Sequence, residues 1–204
     1  MSDNQLKDHL EEFSYSLGLT ISSNLLQSGV TKIDSMRFMA GLQDVFAGNK
    51  LKISMDEANH IIQEFMMANN EEEANQNLEE GLLYLLNNVK NEGVVETKSG
   101  LQYKIIKEGY GESPKIDDQI KCNYHGILLD GTVFDSSVER REPVIFPVNA
   151  VVQGWVEALL MMTVGAKWRL FIPSDLAYGE KGAGGLVGPN ATLIFDVELL
   201  EILN

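Results

Sequence analysis

From residue 6 the apolar positions recur at spacings of three and four: Leu6, Leu10, Phe13, Leu17, Ile21 and Leu25. That stripe predicts an amphipathic helix, with Gly29 as its stop because glycine takes a left-handed conformation at little cost. A second, shorter helix is predicted after Asp34 on Met36, Met39, Leu42, Val45 and Phe46, ending near Gly48. Ser54 and Glu57 then form a capping-box pattern, and no proline follows until well past Gly93. The stretch from 55 to 93 reads as one helix of about 38 residues at 1.5 Å per residue. Its middle, residues 69–77, is almost wholly polar, with Ile61, Ile62, Phe65 and Met66 before it and Leu78, Leu82, Leu85, Leu86 and Val89 after it. Two readings stay open there: a solvated span of a continuous helix, or a nine-residue loop between two helices. After Gly100 the pattern changes to short apolar runs, at 101–106, 119–124, 132–134, 144–148, 167–172 and 191–200, which have strand length or alternation. Asp130-Gly131 supplies a hairpin turn, and residues 154–162 form the one helix-like stretch, with Gly165 just beyond. An antiparallel sheet packed on one short helix, preceded by a helical region, gives an α+β chain.

Composition sharpens that division. All five prolines lie after residue 113, and 13 of the 18 glycines lie after residue 92. With 204 residues and 44% apolar content the chain can fill a core without staples. One cysteine, Cys122, excludes an internal disulfide, and His9, His60 and His125 show no metal-ligand spacing, so neither metal nor cofactor is expected. A net charge of −14 argues against a nucleic-acid partner, because each phosphate contact needs a local cation. The first 94 residues hold 15 acids against 6 bases, −9 of that charge, and these acidic runs read as a solvated face. No segment reaches the roughly 20 apolar residues of a membrane span. The acidic opening lacks a basic, then apolar, leader pattern, and with one cysteine the expectation is a cytoplasmic protein. Short amphipathic helices enclose little volume alone, which suggests burial against a second copy; folding back on the rest of the chain is the alternative.

A set of short motifs then carries a resemblance. Tyr124-His125-Gly126, Asp130 to Ser137, Gln153-Gly154-Trp155, Val164-Gly165, Ile172-Pro173, Ala177-Tyr178-Gly179 and Ala191 to Leu199 follow one another in order and spacing. Together they resemble the FKBP-type peptidyl-prolyl cis-trans isomerases over roughly residues 95–204. With the helical half included, the chain resembles the two-domain bacterial branch of that family. The resemblance implies a helical dimerisation domain at 1–70, a connecting helix at 71–94 and an isomerase domain at 95–204, whose sheet wraps one short helix.

It also implies a shallow apolar pocket. Trp155 would be its floor, and Tyr124, Phe134, Val144, Phe146, Val151, Val152 and Phe195 its walls. Leu186 and Val187 would come from an overlying loop. Asp135 and Tyr178 would form the polar rim, and the Val152 N–H would hold the substrate carbonyl. Asp135, Tyr178, Val152 and Phe134 are the residues expected to act on the bound amide. The implied substrates are unfolded or partly folded proline-containing chains, with macrolides as inhibitors and a homodimer through the N-terminal helices. From the residues alone, Trp155 and Phe195 suit a sealed core equally well, and Asp135 before two serines could simply close a turn. The loop 182–189, Gly-Ala-Gly-Gly-Leu-Val-Gly-Pro, departs from the family in its glycine content. Four glycines predict a mobile lid and loose binding, and a proline at Gly188 is expected to tighten both substrate and inhibitor. Three other functions compete with the isomerase: a binding module without turnover, a coiled-coil linker and a nucleophilic hydrolase. The broken stripe at 69–77 disfavours the linker, and the absence of a local Cys/His signature disfavours the hydrolase.

Overall fold

The computed structural model describes residues 3–30 and 32–203, with side chains from residue 9 onward; the expected stripe position Leu6 lies outside the described side chains. The chain divides into two compact units, Met1–Asn69 and Asn70–Asn204. In the first, α1 (Asp3–Gln27) is followed by Gly29 at φ +83°. Helix α2 (Ser35–Phe46) is capped by Asp34, whose carboxylate accepts the Arg37 N–H at 3.0 Å. No described side chain of residues 9–69 is fully buried.

Helix α3 (Met55–Asn88) is continuous, so the polar run at 69–77 is helix and not a loop. It has 34 residues, ending before Gly93 is reached. The Glu57 N–H donates to Ser54 Oγ at 3.1 Å, which is the hydroxyl half of the expected capping box. The end of α3 is held by a buried amide. Gln102, fully buried, donates to the Leu85 carbonyl at 3.0 Å and accepts from Asn88 Nδ2 at 2.9 Å. It thereby adds a second donor to a carbonyl that also accepts the Val89 N–H at 3.1 Å.

The second unit is built on seven antiparallel strands: β1 (Val94–Glu96), β2 (Gln102–Lys107), β3 (Gln119–Ile127), β4 (Val133–Ser136), β5 (Val144–Pro147), β6 (Lys167–Ile172) and β7 (Leu193–Leu203). Their order is β1-β2-β6-β7-β3-β4, and β5 pairs with the first half of β3 where β4 pairs with its second half. Two short helices interrupt the strands, α4 (Ser137–Arg140) and α5 (Gln153–Met161). Side chains alternate across each strand. Ile120, Cys122 and Tyr124 of β3 and Leu193, Phe195, Val197 and Leu199 of β7 face α5, which contributes Trp155, Ala158 and Leu159 to the same core. Gly154 makes this approach possible, since a Cβ there would lie 2.5 Å from Ile172 Cγ2. On the opposite face Ile194 and Phe171 pack under Leu85 of α3, with Tyr84 6.1 Å from Phe171 between ring centroids. At the edge of that contact Gly81 faces Thr192, whose Oγ1 would be 2.3 Å from a Cβ at that position.

Candidate active site

Between the inner face of the sheet and the N-terminal end of α5 lies a cavity of about 370 Å³, within the range of small-ligand sites. Its lining includes Tyr124, Phe134, Phe146, Val151, Val152, Trp155, Leu186, Val187 and Phe195, together with Asp135 and Tyr178. Eleven of the twelve residues expected from the sequence therefore meet in one place. Val144 does not: it packs against the core cluster beside the cavity. It pairs with Cys122 across β3 and β5, and two residues on, Phe146 takes the wall position. Ala150, Ala183 and Gly184 also line the cavity and carry no chemical signal in the sequence.

The floor is a lattice of perpendicular rings. Trp155 meets Tyr124 at 5.5 Å and 81°, Phe195 at 5.2 Å and 83°, and Phe146 at 6.2 Å and 87° between centroids and planes. Phe134 closes the set edge-on to Phe195, at 5.3 Å and 88°. Such edge-to-face pairs contribute roughly 0.5–1.5 kcal/mol each beyond their burial. Trp155 and Phe195 are 4% and 5% exposed, so they are core residues and pocket floor at once. The Trp155 Nε1–H is buried without a partner among the described residues.

One wall is polar. Tyr124 donates its hydroxyl to Asp135 Oδ2 at 2.6 Å. Arg140 pairs with the other carboxylate oxygen of Asp135, and its second terminal nitrogen donates to the Tyr124 hydroxyl at 2.8 Å. The guanidinium carbon lies 5.7 Å from the Tyr124 ring centroid. Burial pushes the Asp135 carboxyl up, but the bonds from Tyr124 and Arg140 outweigh it and hold the group below the usual carboxylate range. Burial and Asp135 push the Tyr124 hydroxyl up to about 12. Tyr178 is raised as well, first by burial and then by the Asp135 charge. Asp135 is thus a fixed anion held by two donors.

Arg140 is absent from the sequence-based expectation. Ser136 caps α4, accepting the Glu139 N–H at 3.1 Å, and this single turn brings Arg140 back over Asp135. The signal was the Ser136-x-x-Glu139 capping pattern directly after Asp135. His125 points away from the cavity side and bonds Ser136 Oγ through Nδ1 at 2.9 Å.

Val152 is the N-cap of α5. Its carbonyl accepts from Trp155 and Val156 at 2.9 and 3.1 Å, whereas its own N–H meets no protein acceptor among the described residues. The Val152 N–H is therefore a backbone donor available on the lining of an apolar box.

The lid is ordered by its own hydrogen bonds. Ala183 and Val187 exchange both backbone bonds, at 2.8 and 3.0 Å. Gly182, Gly184 and Gly185 all take positive φ, which is what permits this tight reversal. The Gly182 and Asn190 N–H groups both donate to the Gly179 carbonyl, at 3.4 and 2.8 Å, closing the loop at its base. Gly188 lies beside α3. A Cβ there would lie 2.3 Å from Glu73 Oε1 and 3.0 Å from Asn77 Nδ2 of α3. A larger residue at Gly188 therefore requires the ends of the Glu73 and Asn77 side chains to move aside.

Comparison with known proteins matches two family models along the chain. Residues 110–200 match the family model for FKBP-type peptidyl-prolyl cis-trans isomerase, and residues 10–105 match that for the domain amino terminal to it. The 22 kDa FKBP-type peptidyl-prolyl cis-trans isomerase of Escherichia coli K12 is 44% identical over 193 residues, 93% of this chain and 94% of that protein. Outer membrane protein MIP of Legionella longbeachae is 38% identical over 199 residues, 94% of this chain and 85% of that one. The crystal structure of FkpA from Escherichia coli matches with a TM-score of 0.72 and 36% identity, covering 98% of this chain and 97% of that chain.

Proposed function

This chain belongs to the FKBP-type peptidyl-prolyl cis-trans isomerases, and on that premise we propose how its own residues turn an X-Pro bond. Rotation about the bond faces a barrier of about 20 kcal/mol because it sacrifices amide resonance, and uncatalysed it takes roughly tens to hundreds of seconds. At the twisted transition state the carbonyl is less polarised, so a dry apolar box favours it over the planar amide. The prolyl ring sits on Trp155 between Phe134, Phe146 and Phe195, and the free Val152 N–H holds a substrate carbonyl. Asp135 and Tyr178 orient the chain at the rim, and Leu186 and Val187 cover it. The observation that carries this reading is the apolar cavity lined by Val152, whose N–H meets no protein acceptor among the described residues. A tetrapeptide isomerisation assay tests it. Asp135→Ala and Tyr178→Phe are expected to lower kcat/KM by about tenfold, as for loss of a positioning hydrogen bond; unchanged rates in both would remove them from the mechanism.

No pocket group needs to change protonation state. Asp135 is ionised above its depressed value, and Tyr124 stays neutral until about 12. Activity is therefore expected to be flat between about pH 6 and 8. It falls only as acid passes through the lowered Asp135 value, or as alkali approaches the raised tyrosines. A bell-shaped kcat/KM profile centred near neutrality contradicts this mechanism.

The helical unit is proposed to form a homodimer. Support comes from its own apolar stripe, where Leu10, Phe13 and Leu17 are 63%, 63% and 42% exposed, more than a helix face in a folded assembly leaves uncovered. Two linked pockets would then grip one unfolded chain with raised effective concentration, a chaperone-like action on proline-containing polypeptides. Sedimentation of the full chain is expected to give a dimer; a monomer at micromolar concentration sinks both the dimer and the paired grip. The same pocket is proposed to take macrolide inhibitors. A cytoplasmic location is proposed on the strength of the single, buried free thiol Cys122; cell fractionation decides it, given that one relative is named an outer membrane protein.

A further inference from the structure

We infer that Asn77 of α3 is a positioning residue for catalysis, acting by clamping the lid over the pocket. This rests on the isomerase reading of the same cavity. Three contacts join one turn of the helix to the C-terminal end of the lid. Asn77 Nδ2 donates to the Pro189 carbonyl at 2.8 Å. The Asn190 amide donates back to the Ala74 carbonyl at 3.4 Å. Between them Gly188 lies so close to the side-chain ends of Glu73 and Asn77 that an added Cβ would stand 2.3 Å from Glu73 Oε1 and 3.0 Å from Asn77 Nδ2. Asn190 also holds φ at +55°, a conformation that asparagine tolerates but few residues adopt. Its backbone N–H is fixed to the Gly179 carbonyl.

Two of the lid residues that line the cavity, Leu186 and Val187, stand three and two positions before Pro189. Val187 is 6% exposed and carries the Ala183 bridge, so it has little freedom of its own, while Leu186 is 57% exposed and depends on where the loop backbone is held. The anchor is not part of the pocket: neither Ala74 nor Asn77 lines it. Instead both amide contacts fix the distance between α3 and the peptide 188–190, and through that peptide they set how far Leu186 leans over the substrate. The polar run 69–77 thereby acquires a role at the site.

The experiment is a double-mutant cycle on the full chain, read by tetrapeptide isomerisation. Asn77→Ala keeps a strong helix former at that position and removes the donor. It is expected to lower kcat/KM about fivefold, mainly through KM, as for one lost hydrogen bond to a mobile loop. Leu186→Ala is expected to cost a similar factor. In the Leu186→Ala background, Asn77→Ala is expected to add less than about twofold, because the side chain through which it acts is gone. Asn190→Gly, which keeps the positive φ and removes the second amide bond, is expected to reproduce the Asn77→Ala effect. Methyl resonances of Leu186 and Val187 are expected to shift in both variants while those of Leu159 stay in place, which monitors the fold. An Asn77→Ala enzyme with unaltered kcat/KM overturns the clamp, as does a loss that persists in full in the Leu186→Ala background. An unsubstituted chain without isomerase activity sinks the underlying reading instead, a different and separately visible failure.

Discussion

Gly126→Val is expected to abolish most isomerase activity while leaving the sheet folded. The glycine lies on β3 behind the point where Phe134 and Phe195 meet edge to face. A Cβ at that position would stand 2.7 Å from Phe195 Cε1 and 2.8 Å from Phe134 Cζ. Valine is a good strand former, so the backbone itself has no objection; the whole effect falls on the two rings. Overpacking of this kind costs about 1–3 kcal/mol, which a domain stable by roughly 5–15 kcal/mol survives. The rings, however, move by the width of a methyl group into the space that holds the prolyl ring. A misplacement of that size costs on the order of 10²-fold in rate. Circular dichroism and kcat/KM on one preparation check both halves. A Gly126→Val protein that turns over like the parent shows that Phe134 and Phe195 do not shape the pocket.

The second large effect is on stability. Trp155→Ala empties the place where Tyr124, Phe146 and Phe195 converge and removes the first turn of α5 from the core. Tryptophan-to-alanine truncations in cores cost about 3–5 kcal/mol. The indole N–H is buried without a partner among the described residues, a defect worth roughly 1–3 kcal/mol that the truncation also relieves, so the expected loss is near the lower end. Trp155→Phe isolates that argument. It removes the orphan donor and keeps most of the ring, so its cost is expected to stay under about 1 kcal/mol. Denaturant midpoints for the two variants decide it. A phenylalanine variant as unstable as the alanine one shows that the indole nitrogen is satisfied in solution.

Much of this molecule can be read from its residues, and the exceptions have physical reasons. Strands β3 and β7 are long enough for alternation to show, and they carry Tyr124 and Phe195 of the cavity; the other nine expected lining residues come from short motifs on β4, β5, the start of α5 and the loops. Strand β1 has three residues, too few for any period. Val144 and Phe146 lie on the same face of β5, and nothing in an alternating strand says which of two such neighbours reaches a cavity and which the core. The polar run of α3 is ambiguous because its partners are loop carbonyls. Apolar periodicity cannot report a face whose contacts are Pro189 and the backbone around Gly188. Gly188 is a related case. In sequence it resembles the other lid glycines, which serve positive φ, yet its value lies in the helix that passes beside it.

The closed base of the lid has a consequence for how the protein can change. Because Gly182 and Asn190 donate to one and the same carbonyl, that of Gly179, the loop leaves and re-enters the scaffold at a single point. Its contour can lengthen or shorten without pulling on the sheet, and the closure entropy of a longer loop grows only slowly with length. The segment is a replaceable cassette: new residues spliced at the tip near Gly184-Gly185 alter what the pocket accepts, while the aromatic floor beneath is inherited unchanged.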